Sequence, residues 1–363
     1  MRTFLIGLVT IGGLLLVGGL LFPGLSPQDA PAAELPNPLI DYDGFAKEAV
    51  TALQTRESRR VKEEDFIKMS QDPQTVVLDA RSAEMYKLLH VKGAVNLAFP
   101  DVTAEELAKV IPTKETRVLI YCNNNFKNAE KAFPLKRTIA SLNLHTYNVL
   151  HNYGYSNVYE LKPLLDRNTT KIEFAGLEAE LDKLASAPKT IDELKSQVAA
   201  AQWTTEEALQ NPQIDPKGFL KEVKLVQKVR ELRRISEEDF IAMSQDPETI
   251  VLDARSAAMY KLLHVKGAVN LTFPDVTEEA LAKVIPTKET RVLIYCNNNF
   301  KNAPIAFAPK NLRASLNIHT FTVLHNYGYK NVYELKPLLD RETTGIAFEG
   351  TEVDAAQQQA EAK

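Results

Sequence analysis

Cys122 and Cys296 are the chain's two thiols, and each stands in the same local sequence. The apolar run RVLIY precedes each one. Asn123, Asn124, Asn125, Phe126, Lys127 and Asn128 follow the first; Asn297, Asn298, Asn299, Phe300, Lys301 and Asn302 follow the second. The thiolate is the nucleophilic form of cysteine, and a nearby cation or a helix N-terminus favours it over the thiol. A polar loop leaving a strand toward a helix can curl so that successive backbone N–H groups point inward, forming an anion nest. The pattern therefore predicts a lone, activated cysteine in an anion-binding loop. Lys127 or Lys301 is then a cation that either faces the anion or is simply solvated. The competing reading is an inert buried cysteine or a disulfide. The two thiols occupy equivalent positions at separate sheet ends, and a bridge would need Cα atoms within about 7 Å.

Other polar residues read as support. Asp79 with Arg81, and Asp253 with Arg255, are expected as an ion pair or cap beside the sheet rather than as catalytic groups. His90 and His264 precede a turn into a strand and are expected as hydrogen-bonded structural residues. His145 and His151, like His319 and His325, lie six positions apart, which is not ligand spacing on one helical face. The chain has no CxxC and no HxxxH, so no metal site is expected. Tyr153, Tyr155 and Tyr159 read as packing residues with wet hydroxyls. Net charge is −4 with mixed signs throughout. Nucleic acid needs a basic face and is not an expected partner.

The elements that must position the thiols come in duplicate. A shift of 174 residues lays the sequence on itself without a gap, from Ile40/Ile214 to Gly176/Gly350. Val110–Asn128 is identical to Val284–Asn302. So long a period means whole domains rather than stacking units. Within the first copy the expected succession is a helix at Glu64–Ser70, a strand at Thr75–Asp79, a helix at Ala83–Leu89 and a short strand at Ala94–Leu97. A helix capped by Thr103, the strand Arg117–Tyr121, a helix around Tyr147–Tyr153 and a last strand Asn157–Leu161 follow. Short apolar strands alternating with helices give an α/β fold: two tandem domains, each a mainly parallel sheet with helices on both faces. In such sheets ligands bind beyond the carboxyl ends of the strands, which is where Cys122 and Cys296 fall.

The domain limits read as 40–176 and 214–350. Between them, 177–213 reads as a helical connector with Leu177, Leu181 and Leu184 on one stripe; 351–363 reads as a disordered tail. At the N-terminus, Met1-Arg2-Thr3 precedes an uncharged run of 19 residues, Phe4–Phe22, and a Pro/Ala-rich stretch to Pro38. Residues 1–33 are expected as a signal peptide or a membrane anchor. Ala30 and Ala32 have the spacing of a cleavage site, whereas the length of the run suits a membrane tether through residues 4–22. Either outcome predicts an exported protein of the periplasm or cell envelope.

Taken in order, Leu78-Asp79-Ala80-Arg81, then His90-Val91-Lys92-Gly93-Ala94-Val95-Asn96, then the Cys122 loop, then Gly154-Tyr155-Ser156-Asn157-Val158-Tyr159-Glu160-Leu161 resemble the rhodanese (sulfurtransferase) family. Leu252–Arg255, His264–Asn270, the Cys296 loop and Gly328–Leu335 repeat the set. The resemblance covers residues 62–165 and 236–339. It implies a cysteine that takes a sulfane sulfur from a small anionic donor such as thiosulfate, holds it as a persulfide, and passes it to a thiol or cyanide. It implies no cofactor. By the same resemblance Cys122 and Cys296 are the nucleophiles, and Lys127 and Lys301 stand where the family places a loop cation. The chain departs from the pattern at Asn125, where a glycine is usual, at Asn128, where Ser or Ala is usual, and in a longer segment between Cys122 and Gly154 holding Pro134. After Leu161, Lys162-Pro163-Leu164-Leu165 replaces the usual glycine pair. The departures leave room for a non-catalytic binding or sensor module. A related loop phosphatase would need Arg where Asn128 stands. Thiol oxidoreductase chemistry would need a resolving cysteine.

Overall fold

The computed structural model describes residues 37–186 and 211–353. The N-terminal apolar run, the connector between 187 and 210 and the tail from 354 lie outside the described residues. The first repeat runs α1 (Tyr42–Arg56), β1 (Arg60–Val61), α2 (Glu63–Ser70), β2 (Thr75–Asp79), α3 (Ala83–Leu88), β3 (His90–Val91), β4 (Val95–Asn96), α4 (Ala104–Val110), β5 (Arg117–Tyr121), β6 (Phe126–Lys127), α5 (Leu142–Asn152), β7 (Val158–Leu161), β8 (Leu165–Asp166) and β9 (Phe174–Ala175). Helix α6 (Leu177–Ser186) follows, and the second repeat retraces the succession from helix Pro216–Glu231 to strand Phe348–Glu349.

Each repeat carries a five-stranded sheet, in the first copy in the order β1-β7-β5-β2-β4, and every pairing in it is parallel. The β-branched, apolar runs TVVLD and RVLIY make its centre, as buried parallel strands require. Helix ends follow local chemistry. Thr103 Oγ1 accepts from Glu106 N at 3.1 Å and Ser236 Oγ from Asp239 N at 3.0 Å, both N-caps. Gly154, at φ +84°, lets the chain turn back after α5 so that Tyr155 N reaches Leu150 O at 3.0 Å. Two expectations change. Helix α1 was not signalled, its apolar positions being diluted by charges and threonine. Helix α5 begins five residues before Tyr147, because it is buried on nearly all sides and has no polar face to give it a period.

Strand alternation divides the core. Leu119 and Tyr121 of β5, with Val77 of β2, face a cluster private to the first repeat. Val118 and Ile120, with Leu78, face the other way, into a cluster that takes residues from both repeats, including Phe45, Phe99, Leu142, Phe219, Phe273 and Leu316. The two repeats thus share one core and form one compact unit. The contacts between them come in matched pairs. Tyr327 Oη accepts from Arg137 N at 3.0 Å and Tyr153 Oη from Asn311 N at 2.8 Å; the Tyr153 hydroxyl is therefore an interface group and not a wet one. The Leu177 and Leu181 side chains are exposed, and α6 instead buries Ala179.

On the approximate two-fold axis, His145 Nδ1 meets His319 Nδ1 at 2.9 Å. Both rings are fully buried, with Phe45, Phe99, Phe219 and Phe273 edge-on around them. Burial pulls His145 down to about 3 and His319 well below its usual value, so both are neutral in the folded chain. The unfolded chain binds their protons below about 6.5. Stability from this source is complete above that pH and is lost as pH falls toward 3, by about 1.4 kcal/mol per unit per histidine. Urea unfolding at pH 7 and pH 5 should therefore show a loss in the parent that exceeds the loss in His145→Gln/His319→Gln by about 2–4 kcal/mol. Equal losses would contradict the neutral pair.

Candidate functional site

Cys122 continues β5 in phase with Val118 and Ile120, so it points into the shared core. Its exposure is 0%, and so is that of Cys296. Both are free thiols. Asn123–Asn125 form one tight helical turn and lead directly into β6, not into a helix, so the expected helix N-terminus is not at the thiol. Side chains rather than an open nest of N–H groups shape the loop. Asn125 Oδ1 accepts from Cys122 N at 3.0 Å and from Asn143 Nδ2 at 3.0 Å. Asn125 Nδ2 donates to Leu161 O at 2.8 Å and Pro163 O at 3.1 Å. This amide ties the loop to the end of β7, a job that a residue without a side chain could not do.

The sulfur itself is ringed by donors. Ser141 Oγ lies 3.4 Å from Cys122 Sγ, and Ser315 Oγ lies 3.4 Å from Cys296 Sγ. The backbone N–H groups of Asn124 and Asn143 also point at the Cys122 sulfur, as those of Asn298 and Asn317 do at Cys296. Burial outweighs them and pushes both thiols up from their usual range, so the resting form is the thiol and not the expected thiolate. The Asn123 side chain is buried beside Cys122 with neither polar atom bonded within the protein.

Lys127 and Lys301 do not face the sulfur. Phe126 takes the inward position of the two-residue β6, and alternation sends Lys127 out, 53% exposed and 3.8 Å from Asp166; Lys301 sits 3.6 Å from Asp340. Asn128, at φ 61°, ends the loop, and its Nδ2 donates to Asp166 Oδ2 at 2.7 Å; Asn302 repeats this with Asp340 at 2.7 Å. The buried lysines next to the loops are Lys136 and Lys310. Lys136 N donates to Asn124 Oδ1 at 3.1 Å, and Asn124 Nδ2 donates back to Lys136 O at 2.8 Å.

Asn124 is also where the loop is closed. Its Nδ2 donates to Gln213 O at 2.6 Å, and its carbonyl accepts from Asn211 Nδ2 at 2.9 Å. Asn298 has the same relation to Leu39 O, at 2.6 Å, and to Asn37 Nδ2, at 2.8 Å. The strap before each repeat thus lies over the cysteine loop of the opposite repeat.

Asp79 and Arg81 buttress the site from the other face of the sheet. Both are fully buried. Arg81 Nη2 donates to Asp79 Oδ2 at 2.6 Å and Leu89 O at 2.7 Å, and Nη1 donates to Ala132 O at 2.8 Å. Asp253 and Arg255 do the same with Leu263 O and Ala306 O, both at 2.7 Å. His90 stacks on Tyr86 and bonds its carbonyl at 2.7 Å, as a structural residue.

Sequence reasoning missed Ser141, Asn143, Lys136, Asn211 and their counterparts. Signals for them existed. Asn37-Pro38 and Asn211-Pro212 extend the repeat three residues before Ile40 and Ile214. Ser141-Leu142-Asn143 and Ser315-Leu316-Asn317 recur unchanged in otherwise apolar surroundings.

A profile of the rhodanese-like domain matches residues 62–162 and 236–336. No curated protein matches the chain in sequence. Among solved structures, a thiosulfate sulfurtransferase from Pseudomonas aeruginosa aligns at 16% identity over 83% of this chain, with a TM-score of 0.41; the chain spans 47% of that protein. A protein from Anabaena aligns at 19% identity over 34% of this chain and 99% of its own, with a TM-score of 0.23. A 3-mercaptopyruvate sulfotransferase from Escherichia coli aligns at 14% identity over 76% of this chain and 97% of its own, with a TM-score of 0.23.

If the straps control access, loosening one should expose one thiol. Asn124→Ala removes the side-chain bonds to Gln213 and Lys136, each worth about 1 kcal/mol. Iodoacetamide labelling of Cys122, followed by peptide mass spectrometry, should then speed up about tenfold or more, with Cys296 keeping its rate. Unchanged labelling of Cys122 would show that the strap is not the barrier.

Proposed function

The chain belongs to the rhodanese-like domain family, and on that premise we propose that it is a sulfurtransferase with two cysteine sites, described here in a closed state. The convergence of Ser141 Oγ and the N–H groups of Asn124 and Asn143 on Cys122 Sγ, repeated at Cys296, carries this reading. An inert core cysteine needs no such donors, whereas an anionic sulfur does. Once the strap has moved aside, the Cys122 thiolate attacks the outer sulfur of a thiosulfate-like anion. A Cys–S bond forms, the donor's S–S bond breaks, and sulfite leaves with the electron pair. A thiol or cyanide then attacks the outer sulfur of the persulfide, and the cysteine thiolate is the leaving group. An exported setting, in the periplasm or cell envelope, belongs to the same reading and is supported by the apolar run Phe4–Phe22.

A second reading has its own observation. Both sulfurs are wholly buried and both loop lysines are turned out to carboxylates, as suits a binding or sensor module that never turns over. Intact-mass spectrometry after incubation with thiosulfate separates the two. Sulfurtransfer predicts the gain of one sulfur on Cys122, Cys296 or both, removable by cyanide and absent from Cys122→Ser/Cys296→Ser. Free thiols without an adduct, in chains whose straps have been loosened, would establish the binding module instead.

A further inference from the structure

A cavity of about 280 Å³ opens beside the strap over the Cys122 loop, walled by Glu57, Arg60, Lys162, Asn211 and Pro212. It lies at the carboxyl end of the parallel sheet, where such sheets bind ligands. Arg60 pairs with Glu160 in the β1–β7 register, and Lys162, next after β7, donates its N–H to Val61 O at 2.9 Å. Lys162 also stands between Leu161 and Pro163, whose carbonyls hold Asn125. Asn211 Oδ1 accepts from Gln213 N at 2.9 Å, and Nδ2 gives one hydrogen to Asn124 O. Two walls of the cavity, Lys162 and Asn211, are thus joined to the loop that carries Cys122.

The two cations are under-used within the protein. The Arg60 side chain is 10% exposed. Its Nη1 reaches Glu57 Oε2 and its Nη2 reaches Lys162 O, both at 3.4 Å. Its Nε, 4.0 Å from Glu160 Oε1, makes no hydrogen bond. Charge-assisted bonds usually run at about 2.7–2.9 Å. Glu160 is already gripped through both oxygens by Arg56, and the Glu57 side chain is 63% exposed. The Lys162 ammonium has no partner among the described residues. Arg234 repeats the pattern, 3.3 Å from Glu231 Oε2 and 3.5 Å from Lys336 O, again with an unbonded Nε; Asn37 takes the place of Asn211 in that strap. A nearly buried guanidinium with only long bonds is costly, and here the arrangement occurs twice.

We propose that the cavity between Arg60, Lys162 and Asn211 binds a small dianionic oxyanion of the sulfate and thiosulfate type, and that Arg234, Lys336 and Asn37 supply its counterpart. A planar guanidinium fork beside a point-charge ammonium suits the oxygens of such an anion. The volume admits it with part of its hydration, at about 30 Å³ per water. Asn211 Nδ2 keeps a second hydrogen for it. An anion held there lies against the strap that must move before Cys122 is reached. That the anion is the sulfur donor rests on the sulfurtransfer reading above; the binding site does not.

The test titrates the full-length chain with sodium sulfate by calorimetry, with ionic strength held constant by sodium chloride. Lys162 and Lys336 are only half-buried, so their replacement spares the fold. Lys162→Met/Lys336→Met should weaken sulfate binding about tenfold or more. Lys127→Met/Lys301→Met, which removes the same charge elsewhere, should leave it unchanged. Glu57→Gln/Glu231→Gln, which removes the competing carboxylates, should strengthen it about threefold. In the thiosulfate mass assay, Lys162→Met alone should raise the concentration that half-loads Cys122 about tenfold and leave Cys296 unchanged. No saturable sulfate binding, or binding indifferent to the Lys162/Lys336 pair, overturns the site. Sulfate binding that depends on the pair, in a chain whose sulfur loading ignores Lys162, upholds the site and strikes out its role for the donor. The same binding in a chain that takes no sulfur from thiosulfate upholds the site and sinks the sulfurtransfer reading alone.

Discussion

Side chains alternate across a strand, and β5 divides that alternation between two cores. Leu119 and Tyr121 serve the repeat's own cluster, while Val118, Ile120 and Cys122 serve the cluster that both repeats build. Register follows from this. A slip of one residue would put Tyr121 into the shared core and strip its hydroxyl of the bond to Asp79 Oδ2, 2.5 Å long. Because the cysteine follows the strand directly, it inherits the interior face. Its burial, its high-lying thiol and its enclosure by two repeats all descend from that parity.

A sulfur placed among Leu, Val and Phe side chains must still meet a polar loop, and the two environments are reconciled by amides. Asn124 and Asn125 satisfy the backbone groups that a tight turn would otherwise leave unpaired in an apolar surround. Asn125 does so within its repeat, and Asn124 does so across to the strap. The same logic accounts for the lysines. Next to a buried turn, a flexible ammonium that met no carbonyl acceptors would be left uncompensated, so Lys127 sits outside with Asp166. Lys136 stays inside because Phe273 O and Pro274 O receive it. On the opposite face of the sheet, Arg81 is tolerated at 0% exposure because Asp79, Leu89 O and Ala132 O take up its N–H groups and its Cζ lies over the Phe133 ring, 3.9 Å from the ring centroid.

What the sequence disclosed and what it hid follow from range. The strands Thr75–Asp79 and Arg117–Tyr121, the caps at Thr103 and Ser236, and the place of each cysteine at a strand end are local consequences of β-branched runs and side-chain chemistry, and all were legible. The partners of Asn124 lie 12 and 89 residues away, and those of Lys136 lie 137 and 138 away. Such pairings depend on the two repeats meeting, which no local pattern announces. Lys127 takes the solvated alternative for a nearer reason. The anion-facing alternative needs a loop continuing into a helix, whereas Phe126-Lys127 is a strand pairing with β8, and a strand's alternation turns the lysine outward. Parity would also have placed Cys122 on the face of Val118 and Ile120.

The histidine contact on the axis has a consequence for symmetry itself. Two neutral imidazoles facing Nδ1 to Nδ1 at 2.9 Å have room for one hydrogen between them. One ring must donate and the other accept, so one is the Nδ1–H tautomer and the other the Nε2–H tautomer. Their outward nitrogens, both buried and unbonded within the protein, are then a bare lone pair in one repeat and an N–H in the other. Two halves with the same histidine, the same neighbours and the same geometry are therefore different molecules at this point. A duplication that is close to two-fold in sequence has its two-fold broken by a single hydrogen, and either choice is available to it.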